Sequence, residues 1–417
     1  MSEATVVILS LSFMFLTGFA FSRLLDVVHL PHVTAYILAG IILGPFVLDV
    51  IPESIITGTD FLPDIALAFI AFSVSEYFTF STLKENGRKV LIITLFESLT
   101  ATLVVFVVTR FLLGLDSVFC IVLSALAAAT APASTIMTIR QTKAKGELVD
   151  TLLQVVALDD AVGLVAYSVA ITIAISMIAG SSASMVELVL LPVIKNVGAI
   201  LLGIGFGFLL KIFVPGEDSS DSRLIISICA IFLFCGICSW MEVSPLLGCM
   251  VMGTVYVNTS NDHRLYTQLN QFSAPVLLLF FVRSGISFNL GALFSAEQAV
   301  SGVSLLTIGV VYFFMRIAGK YAGCRAGCRI AGTSAPVRNC MGLALIPQAG
   351  VAIGLAAMCA RILGGQVGDQ LQTIILLSSV LYELIGPSCS KLALYLSHSY
   401  DTPEPHRKAS LFRKAAA

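Results

Sequence analysis

Hydrophobic residues fill this chain in long blocks that short polar segments separate. Most blocks are long enough to cross the ~30 Å hydrocarbon core of a bilayer as a helix with a rise of 1.5 Å per residue. The pattern predicts an all-α polytopic membrane protein with about thirteen transmembrane helices. They lie at roughly 5–23, 33–50, 62–80, 90–109, 117–139, 149–175, 186–210, 223–240, 244–258, 271–290, 303–328, 338–360 and 368–395.

No long polar linker interrupts this series, so we expect one transmembrane domain over residues 1–397 and a short cytoplasmic tail over 398–417. Basic residues orient the domain. With the N-terminus outside, seventeen Lys and Arg residues fall in inward loops or the tail, and only Arg110 and Arg361 fall in outward loops. Because loops rich in Lys and Arg stay on the cytoplasmic side, we expect a multi-pass protein of the plasma (inner) membrane with a cytoplasmic C-terminus.

Composition agrees with a membrane protein. Hydrophobic residues make up 57% of the 417 residues and charged residues only 12%, about half the share in soluble domains. The net charge of −1 and the lack of a basic arm argue against nucleic acid as a partner. The ten cysteines lie mostly in apolar stretches without metal-site spacing, and we expect no cofactor.

Two adjacent acids, Asp159 and Asp160, lie about ten residues into the span at 149–175. At helical rise this places them roughly 15 Å deep, near the middle of the hydrocarbon core. An ionised carboxylate there costs several kcal/mol, and two neighbouring ones repel each other. A cation, a proton or a buried basic partner must compensate them, so the pair predicts an ion site.

Two spans contain a proline and polar residues at mid-membrane depth, at 129–135 and at 345–350. A proline kink explains either one alone. Together they occupy the middle spans of two three-span groups, spans 4–6 and 11–13, which lie an odd number of spans apart and therefore insert in opposite orientations. This arrangement indicates an inverted repeat whose broken helices cross at the site.

Lys320, in the span at 303–328, is the basic residue that can reach this depth. Asp159 or Asp160 is its natural counter-ion. Two alternatives remain open: Lys320 extends to the inner surface, or it only neutralises the carbonyl ends of the broken helices. Other intramembrane charges are weaker signals and suit structural partners equally well. They are Glu76, Glu97, Lys195, Arg283 and Glu383, and Glu383 is a candidate core acid.

The segments 129–134, 158–160, 316–320 and 342–354, together with 30–45, resemble the cation:proton antiporter superfamily, in the branch of NapA-type sodium/proton antiporters and Kef-type potassium efflux systems. The resemblance covers essentially the whole chain. It implies an NhaA/NapA-like fold with two crossed discontinuous helices and a homodimer. The dimerisation part would be about 5–80 and 223–290, the core part about 90–175 and 303–395, and the linker helix about 186–210.

The resemblance also implies roles for single residues. Asp160 would bind the cation or the proton, and Asp159 would be the acid that pairs with Lys320. An Asp-Asp pair with a lysine resembles the electrogenic members, although Arg316, one turn before Lys320, complicates this assignment. The unwound crossing would comprise Thr130, Ala131, Pro132, Ser134, Pro347 and Gln348.

The expected function is therefore secondary exchange of a monovalent cation (Na+, with K+ and Li+ as further candidates) for protons, through alternating access. A Kef-like potassium efflux system ranks lower because the tail is shorter than the regulatory domain of such systems. An intramembrane aspartyl protease, the one enzymatic alternative, needs two acids facing each other across a cleft. Adjacent residues of one helix point about 100° apart, so we expect a transporter and not an enzyme.

Overall fold

The computed structural model describes residues 2–27, 32–131, 135–136, 138–139, 142–178, 185–214, 220–241, 243–260, 262–289, 291 and 299–400. Helices supply the regular structure of these residues. In chain order they are α1 (Glu3–Asp26), α2 (His32–Leu43), α3 (Glu53–Gly58), α4 (Leu62–Val74), α5 (Phe80–Val107), α6 (Ser117–Leu126), α7 (Glu147–Ile178), α8 (Met185–Phe213), α9 (Ser220–Trp240), α10 (Pro245–Ser260), α11 (Arg264–Ile286), α12 (Leu305–Ile330), α13 (Ala335–Ala344), α14 (Gly350–Leu363) and α15 (Gly365–Leu396).

Each predicted span overlaps one of these helices or an interrupted pair, and the all-α prediction is confirmed. Among the described residues, eight helices are long and apolar enough to cross a membrane, and α2, α6 and α14 are shorter apolar helices. The span predicted at 338–360 is divided into α13 and α14. The span predicted at 117–139 begins as α6, is not helical at 127–131, and is helical again at 135–136 and 138–139. The short helix α3 lies in a loop where hydropathy predicted none.

The two interrupted helices cross, as predicted. The backbone N–H of Ala131 donates to the carbonyl of Pro347 at 2.9 Å. Four residues later in the chain, Thr135 Oγ1 donates to the carbonyl of Ala344 at 3.1 Å. Backbone groups that lack a helical partner at a break need such bonds because no water reaches them in the membrane interior.

Helices α5 and α12 approach each other very closely through the glycines at positions 319, 323 and 327. A β-carbon added at Gly323 would lie 2.9 Å from Glu97 Cα, and one added at Gly319 would lie 2.7 Å from Ala101 Cα. Small residues at every fourth position let two membrane helices touch along their backbones. This contact fixes the position of α5 relative to α12.

Arg283, which had no obvious acid near it in the sequence, meets its partners at the end of α3. Its Nη2 donates to the carbonyl of Ile56 at 2.9 Å, and its Nε donates to Thr59 Oγ1 at 3.0 Å. Its guanidinium also pairs with Asp60. The partners lie more than two hundred residues earlier in the chain, which is why sequence distance did not reveal them.

Candidate ion-binding site

The acid pair lies on α7, beside the point where the interrupted helices cross. Both side chains are buried, with 0% exposure for Asp159 and 3% for Asp160. Residues Leu152, Val155 and Val156 on the preceding turns of α7 are buried among apolar side chains. The helix therefore carries two carboxylates into an environment that favours neutralisation of each of them.

Asp159 is held by three donors from three parts of the chain. Lys320 Nζ lies 2.8 Å from its Oδ2. The hydroxyl of Thr130, at the break after α6, donates to the same oxygen, and the hydroxyl of Ser98 on α5 donates to Oδ1. Charge-assisted bonds of this kind compensate the cost of burying a carboxylate.

Asp160 has different surroundings. Its Oδ1 is buried and has no hydrogen-bond partner among the described residues. Since successive side chains of a helix point about 100° apart, the two acids face different neighbours. One carboxylate of the pair is thus engaged by protein donors, while the other presents a buried oxygen to an ion or a proton.

Lys320 is completely buried and does not extend to the inner surface. Besides Asp159, its ammonium donates to Thr130 Oγ1 at 2.8 Å and to the carbonyl of Ala128. Its nitrogen also lies 2.7 Å from Glu97 Oε2 on α5. The sequence had placed Glu97 only among the weaker intramembrane charges. The glycine repeat of α12, which brings α5 against Lys320, is the signal that could have identified this contact.

Arg316 neutralises carbonyl groups of the crossing. Its guanidinium donates to the carbonyls of Ala127, Ala129 and Ile346, at 3.0, 2.6 and 2.8 Å. It also lies 4.7 Å from the ring centroid of Tyr382 on α15, in a cation–π arrangement. The two basic residues one turn apart therefore have different main partners. Arg316 bonds to three backbone carbonyls, whereas Lys320 contacts two carboxylates, Thr130 and one carbonyl, that of Ala128.

The remaining predicted residues have these positions. Gln348 Nε2 donates to the carbonyl of Leu126 at 2.8 Å, and its amide lies 3.1 Å from the hydroxyl of Tyr312. Pro347 and Ala131 are joined by the backbone hydrogen bond described above.

Glu383 is buried on α15, three residues before Gly386. A β-carbon added at Gly386 would lie 2.7 Å from Pro347 Cγ. Pro132 and Ser134 lie outside the described residues.

Comparison with known proteins completes the description of the site. The family model described as "Sodium/hydrogen exchanger, transmembrane" matches residues 8–389. The chain is 24% identical over 222 residues to the K(+)/H(+) antiporter subunit KhtU of Bacillus subtilis, covering 50% of this chain and 52% of that relative. The match thus spans about half the length of the relative.

Solved structures of similar shape include two of the sodium proton antiporter MjNhaP1 from Methanocaldococcus jannaschii. The structure at pH 8 has a TM-score of 0.76 and 19% identity, and it covers 95% of this chain and 100% of that one. The electron-microscopy structure has a TM-score of 0.73 and 17% identity, with 97% and 100% covered. At this level of identity the likeness shows a shared fold.

Proposed function

The chain belongs to the sodium/hydrogen exchanger family, and from this premise we propose that it exchanges a monovalent cation for protons across the membrane, with Asp160 as the group that binds either ion. The contrast within the acid pair carries the proposal. Asp159 is engaged by Lys320, Thr130 and Ser98, whereas Asp160 Oδ1 is buried without a partner among the described residues. This is a transport reaction, and no bond of a substrate is made or broken.

The exchange follows from electrostatics. A carboxylate buried away from water is unfavourable in its charged form, so binding of a proton or a cation neutralises it. If the site changes its side of access only when Asp160 is neutralised, movement of one ion is coupled to return of the other. In this scheme Asp159 pairs with Lys320 when no cation is bound. Thr130, Gln348 and the backbone at Ala131 and Pro347 shape the crossing.

We further propose the division of labour that the family resemblance implies. The acid pair, Lys320 and both interrupted helices all lie within the proposed core part, residues 90–175 and 303–395. Residues 5–80 and 223–290 form the proposed dimerisation part of a homodimer, and the helix at 186–210 joins the two parts. Spans 4–6 and 11–13 are the proposed inverted repeats, and movement of the core against the dimerisation part alternates the access to Asp160.

Sodium is the first proposed cation because of the family to which the chain belongs. Potassium is the second, because the relative from Bacillus subtilis is named as a potassium/proton antiporter subunit. The distribution of basic residues supports insertion in the plasma (inner) membrane with the N-terminus outside and the C-terminus in the cytoplasm.

Reconstitution into proteoliposomes that contain a pH-sensitive dye tests the proposal. Addition of Na+, K+ or Li+ should move protons through the wild-type protein, and Asp160→Asn should abolish this movement. Asp150→Asn is the matched control, because Asp150 lies on the same helix and is exposed. Cation-driven proton movement by a folded Asp160→Asn protein at the rate of the control would contradict the assignment of Asp160.

A further inference from the structure

We infer that Glu97 is a second counter-ion of Lys320. As a positioning residue, it keeps the lysine paired when Asp159 turns toward the transported cation. This inference rests on the proposed function. Two carboxylates from two helices contact one ammonium. Lys320 Nζ lies 2.7 Å from Glu97 Oε2 on α5 and 2.8 Å from Asp159 Oδ2 on α7. All three side chains are 0% exposed.

The two acids are also linked to each other. The hydroxyl of Ser98 lies 3.1 Å from Glu97 Oε1 and hydrogen-bonds to Asp159 Oδ1. Lys320 and Ser98 therefore each contact both acids. Of the other charged groups at this level of the bundle, Arg316 is engaged by backbone carbonyls, and no ion pair of Asp160 with Lys320 is present among the described residues.

The backbone holds Glu97 in this position. Gly323 of α12 lies against Glu97 and Thr100 of α5, so closely that an added β-carbon would be 2.9 Å from Glu97 Cα. Lys320 and Gly323 are three residues apart and share one face of α12. The close packing of α5 on α12 at Gly323 therefore also places Glu97 beside Lys320.

The arrangement has a consequence for cation binding. Asp159 and Asp160 are adjacent, so a cation on Asp160 attracts Asp159 as well. With a single counter-ion, the attraction would leave a buried ammonium without a charge partner, which is strongly unfavourable. With Glu97 in contact, the ammonium exchanges one carboxylate for another, and Asp159 becomes available to the cation at a smaller cost.

Thermal unfolding of the full chain in detergent tests the pairing without any measurement of transport. Glu97→Gln and Asp159→Asn should each lower the melting temperature modestly, because the other acid still pairs with Lys320. The double variant should lose more than the sum of the single losses. Adding Lys320→Gln to the double variant should restore most of this loss, because the uncompensated ammonium is its cause.

Failure of the double variant to fold, together with recovery in the triple variant, would support the inference equally. Additive losses with no recovery in the triple variant would overturn it. If the wild-type protein proves to exchange no cation for protons, the proposed function fails. The melting temperatures of the single, double and triple variants still decide whether the two acids are alternative partners of Lys320.

Transport kinetics test the positioning role. In Glu97→Gln, the Na+ concentration for half-maximal exchange should rise about tenfold, with a smaller change in the maximal rate. The variant lacks the carboxylate that pairs with Lys320 while Asp159 contacts the bound cation, so cation binding is weakened. Glu76→Gln is the control, because the ion-pair partner of Glu76 is His263, 3.2 Å away, and not Lys320. An unchanged half-saturating concentration in folded Glu97→Gln would contradict the role.

Discussion

Asp159 and Asp160 are consecutive residues of one helix, yet their surroundings among the described residues differ. Asp159 accepts bonds from Lys320, Thr130 and Ser98, while Oδ1 of Asp160 accepts none from the described residues. Replacing the two acids should therefore have different effects. Asparagine at 159 removes one of the two carboxylates that contact Lys320, whereas asparagine at 160 removes the group that we propose to bind the transported ions.

Competition between protons and cation at Asp160 is the first prediction. Because a carboxylate must lose its proton before it binds a cation, a more acidic medium should raise the apparent KM for Na+ by up to about tenfold per pH unit. The maximal rate should change less over the same interval. Dye-monitored initial rates over a matrix of Na+ concentrations and pH values give both quantities. A KM that is independent of pH would argue for separate sites for the two ions.

Substitution of Arg316 should destabilise the protein. Arg316→Gln leaves carbonyls of Ala127, Ala129 and Ile346 without their donor in a buried position, and each unsatisfied group costs about 1–3 kcal/mol. We expect a marked fall in melting temperature. Arg325→Gln, on the exposed side of the same helix, is the control and should melt near the wild-type temperature. Equal melting of the two variants would refute this role for Arg316.

Substitution of Gly323 by valine should separate α5 from α12. The added β-carbon alone would approach Thr100 Cβ to 2.7 Å, well inside van der Waals contact. Stability and exchange rate should both fall, and alanine should have a milder effect. Gly236→Ala is the control, since nothing lies within 4 Å of a β-carbon at that helical position. Normal stability of Gly323→Val would show that the close helix contact is dispensable.

Voltage dependence is the prediction drawn from the charge of the site. The sequence predicts two acids and one lysine at the site, and the structure places a third acid, Glu97, against Lys320. If cation binding releases a proton from Asp160 and another from a second group of this buried cluster, more proton charge moves one way than cation charge the other. Exchange should then respond to a potential clamped with potassium and valinomycin, and Lys320→Gln should reduce this response or the transport itself. An exchange rate that does not depend on the membrane potential would exclude electrogenic transport and leave the antiport proposal intact.

Orientation in the membrane is the last prediction. On a background without reactive cysteines, a cysteine at position 182 should react with an impermeant reagent from outside. Cysteines at positions 143 and 408 should react only from the cytoplasmic side, because the basic loops remain there. The reversed pattern would overturn the orientation. A monomer at all concentrations in mild detergent would separately contradict the proposed homodimer.

Much of the architecture could be predicted because hydropathy and proline positions are local signals. The thirteen spans and the two interruptions needed only the length of apolar blocks and the position of polar residues within them. The acid pair was conspicuous for the same reason, since charge in the middle of an apolar block is rare.

Contacts between distant helices were less accessible. Lys320 and Arg316 are one turn apart, and spacing alone could not divide carboxylates and carbonyls between them. Glu97 and Asp60 are separated by more than two hundred residues from Lys320 and Arg283, respectively. Such pairs depend on which faces of two helices meet, and in a membrane protein this is decided by shape, as at Gly323, more than by polarity.

The guanidinium of Arg316 bonds to carbonyls of both interrupted helices at once, at Ala127 and Ala129 on one and at Ile346 on the other. If the two breaks moved apart, some of these carbonyl oxygens would lose their hydrogen-bond donor at a buried position where water does not replace it. Although unwound, the crossing is no hinge. An ion bound at Asp160 would travel together with the peptide segments that surround it, and the flexible places of the transport cycle would lie in the connections outside the crossing.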